Sequence, residues 1–96
     1  MRRAAKVDAN QHTLVAELRA MGFSVISLAA FGRGCPDLLV GRYGINILVE
    51  VKDGSLAPSR RQLNTEQREF HDAWRGPIIV AHTADEVLEA CRNQPW

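Results

Sequence analysis

The chain has little cysteine, almost no net charge and no long apolar run. None of its apolar runs approaches the length of a membrane span. The opening residues, MRRAAKVDANQ, are basic but are not followed by the apolar stretch of a secretory signal. The expectation is therefore a cytoplasmic protein whose two cysteines, Cys35 and Cys91, are reduced thiols. Neither a CxxC nor a Cys/His pair accompanies them, which excludes a zinc pattern. A net charge of +1 gives no overall basic footprint, so charge alone neither points to nor excludes a nucleic-acid partner. The local distribution is less even: Arg2, Arg3 and Lys6 cluster at the start, Arg33 and Arg42 flank an acidic segment, and Arg60 and Arg61 share a polar loop. No repeat, low-complexity tract or internal linker interrupts the 96 residues, a length that suits one domain spanning 1–96.

What is present is concentrated in residues 32–54, GRGCPDLLVGRYGINILVEVKDG. Two alternating runs flank a tight turn at Tyr43-Gly44, which predicts a hairpin. Pairing around that turn sets Arg42 opposite Ile45, Val40 opposite Ile47, Leu38 opposite Val49 and Asp37 opposite Glu50. Opposed residues share a side of the sheet, and period-two alternation puts Lys52 there too. The other side carries Leu38, Val40, Ile45, Ile47, Val49 and Val51, a row suited to a core. Like charges opposite one another destabilise a sheet. Two facing carboxylates call for something cationic between them, and a divalent metal is the natural candidate.

Around the hairpin, Leu14, Val15, Leu18 and Met21 recur at helical spacing over 9–21, with Gly22 as the stop and Asp8 and Gln11 in a capping-box relation. FSVISL, residues 23–28, alternates as a strand, and AAFGRGCP, residues 29–36, is a small-residue loop. Residues 53–61 form another loop. A second helix is predicted from Thr65 to Trp74, anchored by Leu63, Phe70 and Trp74, followed by a strand at Ile78–Ala81. A last helix is capped by Thr83 and Glu86, with Val87, Leu88 and Cys91 as its apolar stripe. The order is α/β: an αβββαβ arrangement plus a closing helix, with an antiparallel meander and a fourth strand delivered parallel by a helical crossover.

Pro36-Asp37 followed by Glu50-Val51-Lys52 within αβββαβ resembles the PD-(D/E)xK nuclease superfamily. More closely it resembles the small stand-alone VRR-NUC domains of phages and prophages, related to Holliday-junction resolvases. Further points of likeness are Asp8, Gly34-Cys35-Pro36-Asp37, and Gln67 followed by Phe70. The chain departs from the family at the first helix, where a glutamate is usual and Asp8 stands here, with Asn10 and Gln11 beside it. The resemblance implies a restriction-endonuclease-like core with a mixed sheet flanked by helices. It implies a Mg2+-dependent (or Mn2+-dependent) endonuclease acting on DNA, structure-selective for branched or junction DNA, and working as a homodimer.

On that resemblance, Asp37 and Glu50 would be metal ligands together with the Val51 backbone carbonyl. Asp8 fits equally a ligand or a helix N-cap. Lys52 would orient the attacking water and stabilise developing negative charge. Gln67 fits either a position near the scissile phosphate or a capping-box partner of Asn64. Arg33, Arg60 and Arg61 are candidates for phosphate contacts. Phe70 and Trp74 read as core residues, and His12, His71 and His82 form no ligand set. The reading from a different class is a non-catalytic nucleic-acid-binding or interaction module that keeps the fold, and RNA is an alternative substrate.

Overall fold

The alternating pattern of residues 38–51 folds into two strands joined by a two-residue turn. In the computed structural model, which describes residues 9–93, strands β1 (Ser24–Ser27), β2 (Leu38–Arg42), β3 (Ile45–Val51) and β4 (Ile78–Ala81) form one sheet in that spatial order. Tyr43 and Gly44 both have positive φ, 58° and 76°. That is the turn whose twist matches a hairpin. The register is the anticipated one, with Arg42 opposite Ile45, Val40 opposite Ile47 and Leu38 opposite Val49. A one-residue slip would exchange the two faces of β3 and expose its apolar row, so burial holds the register.

β1 pairs antiparallel with β2, and β4 runs parallel to β3, with Glu50 beside Val80 and Val51 beside Ala81. Helix α1 (Ala9–Ala20) and helix α3 (Ala84–Arg92) cover one side of the sheet. There Leu14, Leu18, Val87 and Cys91 pack with Val25, Leu38, Val40, Ile47, Val49 and Val51. Full burial of each large aliphatic side chain contributes roughly 1.5–3 kcal/mol. The Thr83–Glu86 capping box opens α3 as its sequence suggests.

Helix α2 (Thr65–Ala73) lies alone on the opposite side and buries none of its own residues. This corrects the expectation that Phe70 and Trp74 are core. Their rings stack on each other at 5.5 Å instead, and Trp74 is 47% exposed. One nine-residue helix is too short to close this side. It leaves a groove of about 490 Å3 lined by Leu28, Phe31, Leu39, Leu48, Phe70 and Trp74 among others. Arg42 does not flank the acidic end of the hairpin. It sits at the turn end, over the rings of Phe23 and Tyr43 at 5.5 and 4.3 Å. The loop at 53–61 contains a single 3-10 turn, Pro58–Arg60, which proline at its first position favours.

Candidate active site

Asp37 stands one residue before β2, and Glu50 near the end of β3, so extending the ladder by one pair sets them opposite each other. The Asp37 backbone carbonyl accepts from the Leu28 N–H at 2.7 Å, which ties it to the chain beyond β1. Its carboxylate Oδ2 accepts from the Val51 N–H at 2.8 Å. The side chain thus replaces the backbone partner that β3 loses where the β2 ladder stops. The next residue turns the other way: the Lys52 N–H donates to the Ala81 carbonyl on β4 at 3.0 Å. Because the N–H and C=O of a strand residue face the same neighbour, the Val51 carbonyl points to the Asp37 edge.

Gln67 joins α2 to this end of the sheet. Its Nε2 donates to Glu50 Oε2 at 3.1 Å. Its Oε1 accepts both from Lys52 Nζ at 3.0 Å and from the Asn64 N–H at 2.9 Å. The second bond belongs to a full capping box with Asn64, so the cap and the contact with the acidic cluster are made by the same side chain. Lys52 Nζ is also 3.8 Å from Glu50 Oε2.

The helix reaches this position because Gly34, at φ 78°, lets the preceding loop lie against its first turn. A Cβ there would overlap the Glu66 carbonyl and come within 2.8 Å of the Gln67 nitrogen. Both the contact and the positive φ make Gly34→Ala costly. It is expected to lower stability by roughly 1–3 kcal/mol and, by displacing Gln67, to weaken the activity proposed below. Urea unfolding and a cleavage assay of the variant check the two effects.

Glu50 is only 3% exposed. Burial first, then the neighbouring Asp37 carboxyl, push its pKa up to about 8, against the opposing pull of Lys52. Glu50 Oε1 is buried and receives no hydrogen bond among the described residues. Cys35 is close enough that, after burial, the charges of Glu50 and Asp37 raise its thiol pKa further.

The described residues include no group of three His, Cys, Asp or Glu side chains able to hold a metal ion. The donor set is two carboxylates on one cleft and the Val51 carbonyl at their edge, all oxygen. That set, with one buried carboxylate oxygen unsatisfied, fits a hard divalent cation that keeps several waters.

A cleft of about 240 Å3 opens over these groups and is also lined by Gln11, Leu56 and Arg60. Of the three candidate arginines, Arg60 reaches the cleft, whereas Arg33 and Arg61 do not line it. Arg33 is exposed on the loop before Gly34, and Arg61 is half-buried with an Nε that finds no partner among the described residues. Asp8 lies outside the described residues, as do Arg2, Arg3 and Lys6. The residue that sequence reasoning passed over is Gln11. It had been paired with Asp8 as a cap, yet its side chain is buried in the cleft wall, 6% exposed. The available signal was its spacing: Gln11, Leu14 and Leu18 fall on one helix face, a polar residue on an apolar stripe.

No family model and no curated protein matches the chain. Among solved structures, one described as a VRR_NUC domain is 28% identical, with a TM-score of 0.61, covering 88% of this chain and 91% of that one. The likeness extends over the mixed sheet and its flanking helices.

Proposed function

With the chain taken as a VRR-NUC nuclease-like domain, we propose that it is a divalent-metal-dependent endonuclease that hydrolyses DNA phosphodiesters with structure selectivity. The observation that carries this reading is the convergence of Asp37, Glu50 and Lys52 on one cleft, with Glu50 and Lys52 held by opposite ends of the Gln67 amide. Asp37, Glu50 and the Val51 carbonyl would hold Mg2+, or Mn2+ in its place. When bound, that ion would neutralise phosphate charge and acidify the attacking water. Lys52 supplies a fixed positive charge for the oxygen on which negative charge develops. Gln67 is a positioning residue: it holds the Lys52 ammonium and one oxygen of Glu50 with opposite ends of one amide. Arg60, at the cleft edge, is placed to meet a backbone phosphate.

Residues 1–96 are read as one domain, and its described elements all belong to the core fold. Backbone phosphates are the feature it would recognise, because Lys52 and Arg60 are the cations that line the cleft. The free thiols Cys35 and Cys91 and a DNA substrate fit an intracellular setting, and the family resemblance favours a phage or prophage origin.

One site cuts one strand, so paired cuts in a branched duplex need two copies. The side of the sheet that α2 only partly covers supports a homodimer. Ile26, Leu39, Leu48 and Ile78 are successive cross-strand neighbours there, with Leu48 buried and Leu39 and Ile78 half-buried. Ile26 and Phe31 are 56% and 71% exposed, and the adjoining groove is lined without any Lys, Arg, Asp or Glu. A self-complementary apolar face suits a two-fold contact better than a polyanion. Light scattering is expected to give the dimer mass, and Phe31→Glu the monomer mass.

Titrating Mg2+ into assays of a four-way junction, a plain duplex and an RNA duplex tests the activity. Cleavage that needs the ion and favours the junction is expected. Binding without cleavage at every Mg2+ or Mn2+ concentration would favour the non-catalytic module.

A further inference from the structure

Gln11 and Glu50 are the two buried polar residues among the described ones, and both line the same cleft. The Gln11 side chain already has an interaction within the protein, and an amide, with donors at one end and two lone pairs on its oxygen, can keep it while that oxygen meets a cation. Gln11 comes from α1 and is the residue of that helix that lines the cleft with Asp37 and Glu50. Its neighbour Asn10 donates from Nδ2 to the Lys52 carbonyl at 3.4 Å, which seats the start of α1 against the end of β3. The next residues on the same helix face, Leu14 and Leu18, are locked in the core. Gln11 therefore cannot rotate away without unpacking the helix.

We infer that the Gln11 side-chain oxygen is a neutral third donor to the divalent cation held by Asp37 and Glu50, supplied by the first helix in place of an acid. This inference rests on the metal-dependent reading above. Affinity for a hard cation follows the number of charged ligands. A site with two carboxylates and one amide binds it weakly alone and gains from a further anionic oxygen. The nucleic-acid phosphate can provide that oxygen, so cation and substrate bind each other's complex more tightly than either binds the free protein.

The test is Mn2+ binding to the full chain, followed by electron paramagnetic resonance and checked by calorimetry with Mg2+, for wild type, Gln11→Glu, Gln11→Leu and Asp8→Asn. Gln11→Glu is expected to tighten Mn2+ by about tenfold or more, and Gln11→Leu to weaken it by a similar factor. Circular dichroism and urea unfolding identify a variant that fails to fold, and Gln11→Leu, which only removes polarity from a core-facing position, keeps the test open if Gln11→Glu does. A non-cleavable phosphorothioate duplex is expected to tighten Mn2+ binding to wild type more than to Gln11→Glu. Equal Mn2+ affinity in wild type and both Gln11 variants would overturn the inference. So would a loss confined to Asp8→Asn, which would give the position to Asp8. Absence of any Mn2+ binding by wild type would instead remove the metal-dependent reading itself.

Discussion

Replacing Asp37 with asparagine is expected to reduce metal-dependent DNA cleavage by roughly 10²–10³-fold while leaving the metal-free protein at least as stable as wild type at pH 8. The two halves of this result have one cause. Asp37 and Glu50 are held together by the hairpin register and by the Val51 N–H, although their charges repel. Asparagine keeps an oxygen for the Val51 N–H and removes the charge. Glu50 then ionises more easily, because the Asp37 charge is one of the causes that raise its pKa. The variant gains from lost repulsion and loses the second anionic oxygen a cation needs. Alanine is expected to be equally inactive but less stable, by about 1–3 kcal/mol, since it leaves the Val51 N–H without its acceptor. Urea unfolding of both variants beside wild type, with cleavage assays on the same preparations, checks the pattern. An Asp37→Asn protein that still cuts at the wild-type rate would show that this carboxylate is not part of the chemistry.

The second large effect is a fall in stability of the metal-free protein as pH rises. Glu50 has an ordinary value near 4.5 in the unfolded chain and about 8 in the folded one. Between those values the folded state holds a proton that the unfolded state has released. The contribution is complete below about 4.5 and is lost as pH climbs through about 8, at a slope of at most about 1.4 kcal/mol per pH unit. Glu50→Gln mimics the protonated form, so its stability is expected to be flatter over the same range and to exceed that of wild type at pH 8. Saturating Mg2+ is expected to restore wild type at pH 8, because it binds the ionised pair, and to do little for Glu50→Gln. Urea midpoints in EDTA and in Mg2+ measure this, and parallel pH profiles for the two proteins would contradict it.

Much of this site was legible because a hairpin with one buried face has little freedom. Once Val40 and Ile47 must face the core and Tyr43-Gly44 must turn, Asp37 meets Glu50 and Lys52 falls on the same side. Gln67 was legible by type but not by role. A cap for Asn64 and a place near the scissile phosphate were the alternatives; the cap is made, and the same amide also holds Glu50 and Lys52, contacts that spacing did not announce. Phe70 and Trp74 misled because a pair four residues apart on a helix has the same spacing whether it faces a core or stacks on itself. Only the sheet area that α2 leaves uncovered decides between them. Arg42 lies near the acidic residues in sequence but at the far end of the strand in space. Gln11 was hidden for a different reason. Which turn of α1 meets the end of β3 depends on tertiary packing, and one glutamine on an apolar stripe gives no measure of that.

The most direct test is anomalous diffraction from a crystal of the protein soaked in Mn2+. A single strong peak beside the carboxyl groups of Asp37 and Glu50, and absent from Asp37→Asn crystals soaked alike, is the result expected here. A fully soaked crystal with no peak there, or with Mn2+ only at other carboxylates, would contradict the claim that these two residues share a cation.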